Sequence, residues 1–129
     1  MKADSNLNNL PLAITLGDPA GIGPELAIKI MSDQKIPSSK RLVFIGNLWA
    51  LNETAMVMGV ELPPLNLIHR PEDSVIGFNF IEPKAVPKPN AFRLGEVQAA
   101  CGKSAMEAIE FGAKGCLAGH FSGLVTLPI

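Results

Sequence analysis

The residues best suited to chemistry lie in one stretch, Thr15-Leu16-Gly17-Asp18-Pro19-Ala20-Gly21-Ile22-Gly23-Pro24-Glu25. Gly17, Gly21 and Gly23 let the chain turn sharply and bring bare backbone close to a ligand. The chemistry this suits is binding, with main-chain groups held against a small molecule. Asp18 reads two ways, as a ligand contact or as an Asx cap on the turn's own N–H groups. Gly21 and Gly23 likewise read as points of close approach or as plain turn geometry. Thr126, at the end of a later apolar run, is a further ligand-facing candidate or a simple strand end. The glycine spacing is neither G-x-G-x-x-G nor G-x-x-x-x-G-K-[ST], so it matches neither the dinucleotide fingerprint nor the P-loop. No catalytic residue and no metal ligand is assigned, and the cofactor contacts are left unassigned.

Other reactive side chains are scattered. A metal held by His69 and His120 needs at least a third converging ligand, and no carboxylate stands at such a spacing. Both read as surface or satisfied histidines. Cys101 and Cys116 have no metal-ligand spacing and read as reduced thiols of a cytosolic protein. Arg93 could meet a phosphate, but reads first as a solvated arginine. Eleven basic against twelve acidic residues give a net charge of −1. That leaves no footprint for nucleic acid or an anionic membrane. No apolar run approaches the ~20 residues needed to cross a bilayer. The polar start lacks a secretory signal. A cytoplasmic location and a small-molecule partner are the expectation.

The elements that must position these residues follow from the apolar pattern. Residues 1–9 read as a flexible leader, and 10–129 as one α/β unit. Leu10 to Leu16 is a buried strand, and a helix begins after Pro24, which suits a first helical turn. Glu25 complements the positive end of that helix. Leu26, Ala27, Ile30 and Met31 give it an apolar face. Arg41 to Gly46 is a second buried strand, followed by a helix from Leu48 to Met58 with Asn47 as its cap and Gly59 as its stop. Trp49 would pack this helix on the sheet. Short strands are expected at Leu65 to His69 and at Phe78 to Ile81, within a proline-punctuated surface excursion or sheet edge. A long helix from about Glu96 to Lys114 carries Lys103, Glu107, Glu110 and Lys114 on its wet stripe. Gly102, Ala105 and Gly112 let another backbone approach it. Gly123 to Pro128 is a last strand. Alternating strands and helices imply a mostly parallel sheet with crossover helices, and in such sheets ligands settle at the carboxyl ends of the strands.

The run from Thr15 to Glu25 resembles the N-terminal signature of the 4-hydroxythreonine-4-phosphate dehydrogenase family, T-x-G-[DE]-P-A-G-I-G-P-[DE]. A weaker likeness extends to isocitrate and isopropylmalate dehydrogenases. Gly95 to Gly102 is similar to the family's G-x-x-x-x-x-x-G helix opening, with Ala99 where serine is usual. Gly119 to Ile129 resembles its G-x-x-x-x-[IV]-[VT]-T-[AG]-P-[IV] strand, with Leu127 in place of a small residue. The resemblance implies a truncated isocitrate/isopropylmalate dehydrogenase-like fold, the N-terminal portion of a longer enzyme. The family's Gly-His-Thr-Glu run and its metal-binding histidines have no counterpart here. The resemblance also implies NAD and a divalent metal as cofactors, a phosphorylated small-molecule substrate, and a homodimer. The implied reaction is oxidation and decarboxylation of 4-phosphohydroxy-L-threonine in pyridoxal phosphate synthesis. A phosphothreonate or phosphoerythronate is the alternative substrate. A catalytically inactive chain that acts only by association is the reading from a different class.

Overall fold

The computed structural model describes residues 9–129; the expected leader lies outside the described residues except for Asn9, which is exposed. In chain order the elements are β1 (Leu12–Thr15), α1 (Gly23–Met31), β2 (Arg41–Ile45), α2 (Leu48–Met58), β3 (Asn66–Leu67), a 3-10 turn at Pro71–Asp73, β4 (Gly77–Ile81), α3 (Ala99–Leu117) and β5 (Gly123–Thr126). The five strands form one sheet in the order β3-β4-β2-β1-β5. Every neighbouring pair is parallel.

A parallel sheet covered on both faces needs apolar side chains on both, which is why its strands read as continuous apolar runs. Leu42, Val43, Phe44 and Ile45 of β2 are all buried. Alternate residues serve opposite faces. Ile14, Leu42, Phe44 and Phe80 pack with Ala27, Ile28 and Met31 of α1 and with Leu51 and Ala55 of α2. Ala13, Val43, Ile45 and Ile81 pack instead with Ala108 of α3 and with Phe121. Two helices therefore cover one face and one long helix the other.

Helix α1 begins at Gly23, and its buried stripe is Gly23, Pro24, Ala27, Ile28 and Met31. Leu26 and Ile30, expected on that face, only flank it. Helix α2 has the expected bounds, and Gly59 closes it in the left-handed conformation. Helix α3 is shifted toward the C-terminus relative to the expected span. Its buried side is Cys101, Ser104, Ala105, Ala108, Gly112 and Gly115. Val97 precedes the helix and is fully exposed, and Met106 is exposed as well. A Cβ on Gly112 would stand 2.7 Å from Leu124 Cδ1, so the close neighbours there are side chains, not backbone. Gly102 faces open space and serves no such packing. Phe78 to Ile81, expected in a surface excursion or at an edge, lie in β4 (Gly77–Ile81). This is an inner strand between β2 and β3, and only the two-residue β3 lies at that edge.

Candidate functional site

The glycine turn leaves the carboxyl end of β1 and enters α1, so Gly17, Asp18, Gly21 and Gly23 all stand at the carboxyl end of the sheet, the end where ligands settle in open α/β sheets. Thr126 closes β5 at the same end, in register with Thr15 of β1. All five sequence candidates are thus brought together at adjacent strand ends. Their reasons for being there differ. Gly17 has φ +74°, and a Cβ on it would lie 2.1 Å from the Pro128 carbonyl oxygen. A Cβ on Gly23 would lie 1.7 Å from the Leu16 carbonyl oxygen. Both glycines are needed by the chain's own packing. Gly21 is different, because its nearest neighbour would be Asp18 Cβ at 3.4 Å, an ordinary contact.

Asp18 holds the turn. Its Oδ1 accepts a 2.8 Å hydrogen bond from the Ala20 N–H, which makes an Asx turn. The Asp18 N–H donates to the Pro128 carbonyl at 3.1 Å, and the Gly21 N–H donates to the Asp18 carbonyl at 2.9 Å. Three N–H groups of the turn are spent internally, so it is not an open anion nest. The N–H groups at the start of α1 have no partner inside the helix. Glu25 lies along α1 in an exposed 3.0 Å pair with Lys29, an arrangement that contributes little stability.

The segment from Glu82 to Gln98 lies beside this end and is strapped to α2. Glu82 Oε1 accepts from the Leu48 N–H at 2.6 Å, so a distant glutamate caps α2. Asn47 occupies the cap position but makes no cap bond with its side chain. Its Nδ2 instead donates to the Lys84 carbonyl at 3.1 Å, while its Oδ1 accepts from the Ser104 hydroxyl of α3. Trp49 does not serve mainly to pack α2 on the sheet. Its Nε1 donates to the Val86 carbonyl at 2.8 Å, and its ring meets Phe92 edge-on at 4.9 Å. Lys88 pairs with Glu53. These partners are far apart in sequence, so only the Asn before a helix gave any signal, and it pointed to the wrong bond.

On the other side, the Gly95 N–H donates to the Ala20 carbonyl at 2.6 Å. Cys101, near the start of α3, is buried against the same turn. Burial pushes its thiol up, the charge of Asp18 adds to this, and the Ala20 backbone partly offsets it. Burial also raises Cys116. The Thr15 hydroxyl is buried with no hydrogen-bond partner among the described residues; Thr15 opens the stretch singled out in the sequence, but nothing there signalled an unpaired hydroxyl.

Arg93 is exposed, 3.9 Å from Glu96, and His69 and His120 are both exposed. Among the described residues no three metal-ligating side chains converge, so the residues present do not make a metal centre. The internally bonded turn does not by itself make a dinucleotide site either. Among the described residues no helix is long and apolar enough to cross a membrane. A cavity of about 950 Å³ opens at the opposite end of the sheet, lined by Asn9, Leu12, Ile36, Arg41 and Ser122 among others. In a parallel sheet that end is not where ligands settle, so the glycine turn remains the stronger candidate.

No protein-family model matches the chain. Individual relatives do. The D-threonate 4-phosphate dehydrogenase of Pectobacterium atrosepticum is 30% identical over 121 residues, covering 92% of this chain and 36% of the relative. The 4-hydroxythreonine-4-phosphate dehydrogenase of Zymomonas mobilis is 32% identical over 120 residues, covering 92% of this chain and 34% of its own. The crystal structure of 4-hydroxythreonine-4-phosphate dehydrogenase from Klebsiella pneumoniae superposes with a TM-score of 0.81 at 29% identity, over 92% of this chain and 37% of that one. The chain is homologous to these dehydrogenases. It spans about a third of the length of the curated relatives it matches. Its α/β fold with a five-stranded parallel sheet is shared with the solved dehydrogenase over nearly all of the chain.

Proposed function

We propose that this chain is the N-terminal α/β part of an NAD-dependent, divalent-metal-assisted dehydrogenase that oxidises and decarboxylates a phosphorylated hydroxy acid. The observation that supports the reading is the superposition over 92% of the chain on a structure named 4-hydroxythreonine-4-phosphate dehydrogenase. The substrate we assign is 4-phosphohydroxy-L-threonine, in pyridoxal phosphate synthesis. D-threonate 4-phosphate is the second reading, favoured by the name of the Pectobacterium relative. On either reading the protein is a cytoplasmic homodimer.

The share of the work that falls to these residues is architectural and proximal. Gly17 and Gly23 seat the turn, Gly21 leaves its outer side open, and Asp18 and Thr126 put polar groups at the sheet end where the ligand would lie. No metal ligand is assigned here, because the described residues hold no such cluster. The test is NAD reduction with each phosphorylated substrate and a divalent metal, using a version extended to the relatives' length. Turnover of one substrate supports the reading, and turnover of neither overturns it. The 129-residue chain alone is expected to be inactive; measurable NAD reduction by it would contradict that part.

The alternative role, association alone, is favoured by one observation. Among the described residues strand β5 is bonded only to β1, and its Val125 and Thr126 are exposed. An open, uncharged edge strand tends to recruit another strand. Size-exclusion chromatography is expected to show concentration-dependent association of the isolated chain. A stable monomer would count against it.

A further inference from the structure

The glycine turn is less bare than its composition suggests. Pro19 and Ala20 are buried, and two covers lie over the turn. One is the C-terminal stretch. Leu127 is buried and its N–H donates to the Thr15 carbonyl at 3.2 Å, while Pro128 accepts from Asp18 at 3.1 Å. That cover is a continuation of β5 and belongs to the core. The other cover is the second half of the 82–98 segment.

This segment divides in two. Up to Phe92 it is clamped on α2 through Glu82, Lys84, Val86 and Lys88, and the Trp49–Phe92 contact marks the end of the clamp. From Arg93 to Gln98 the contacts turn inward. Gln98 Nε2 donates to the Arg93 carbonyl at 2.8 Å and to the Glu96 carbonyl at 3.2 Å. The turn so formed is mostly solvent-exposed, with Val97 wholly so. Gly95 has φ +82° and nothing within 4 Å of where a Cβ would stand. The Gly95 N–H joins this turn to the glycine turn by donating to the Ala20 carbonyl at 2.6 Å. A unit bonded chiefly to itself, in open space and next to a firmly held segment, can move as a body.

We infer that residues 93–97 are a flap, pivoting between the Phe92 clamp and Gln98, that closes on Ala20 and lifts to uncover it. The Gln98 carbonyl is fixed by the Cys101 and Gly102 N–H groups of α3. The inference rests on the turn's being the ligand-proximal ledge. Among the described residues, lifting this cover about Gln98 breaks one backbone hydrogen bond, whereas lifting the C-terminal cover opens the core. A small metabolite beside the half-exposed Gly21 therefore reaches the buried Ala20 by way of the flap. Cys101 supplies a reporter, because its thiol is buried against Ala20, and Cys116, half-buried in the same helix, is the control.

The experiment is alkylation of the two thiols in the 129-residue chain, followed by mass spectrometry across a series of low urea concentrations. If the flap opens locally, Cys101 reacts at a rate nearly independent of urea below the unfolding transition. Gly95→Pro, which removes the N–H donor and forbids the positive φ that Gly95 adopts in the closed turn, should then raise that rate tenfold or more and leave Cys116 within twofold. Limited trypsin digestion gives a second readout that needs no variant. Cleavage after Arg93 should precede cleavage after Lys84, although both lie in the same segment. The flap is overturned if Cys101 reacts only in step with global unfolding, if Gly95→Pro folds and leaves its rate unchanged, or if Lys84 is cut as fast as Arg93. None of these measurements uses a ligand, so the flap can fail while the proposed activity stands, and the reverse.

Discussion

Gly21 and Gly23 are two residues apart and chemically identical, yet the fold needs only one of them for its own packing. A methyl group on Gly23 would sit at 1.7 Å from a backbone oxygen, and one on Gly21 at 3.4 Å from a side-chain carbon. Backbone cannot yield cheaply in a packed turn, so Gly23→Ala is expected to cost about 3 kcal/mol, toward the upper end of overpacking losses. Gly21→Ala should stay within about 0.5 kcal/mol. Urea denaturation of the two variants checks this, and equal losses would mean that the turn relaxes. At this scale the motif was legible as a turn at a strand end, and the Asx role of Asp18 was one of its two readings. What the sequence could not show was which oxygen lies over which glycine. The carbonyls crowding Gly17 come from Leu127 and Pro128, more than a hundred residues along the chain.

Among the elements, strands with apolar runs on both sides were readable because a doubly covered parallel sheet leaves few polar positions in them. Helix α2 was readable from its length and from Gly59. The segment after β4 was not, because its order comes from single hydrogen bonds to α2 and not from any periodicity. Asn47 is the node of that arrangement, buried between the Lys84 carbonyl and the Ser104 hydroxyl. Asn47→Ala leaves both partners without their bond, and a loss of about 2–3 kcal/mol is expected from buried groups left unsatisfied. The same variant should loosen the Trp49–Val86 bond and red-shift the emission of Trp49, the one tryptophan in the chain. A stable Asn47→Ala with unchanged fluorescence would mean that the clamp does not depend on Asn47.

For the whole molecule, the two ends of the sheet make opposite claims on a ligand. The amino ends of the strands hold a cavity of about 950 Å³, and the carboxyl ends hold the glycine turn and Thr126. Parallel-sheet geometry favours the carboxyl ends. The measurement that decides is amide chemical-shift mapping of the 129-residue chain titrated with D-threonate 4-phosphate and, separately, with 4-phosphohydroxy-L-threonine. Shifts concentrated on Gly17 to Gly23 and Thr126 are the expected result. Shifts confined to Asn9, Arg41 and Ser122, or none from either compound at high concentration, would contradict the ledge.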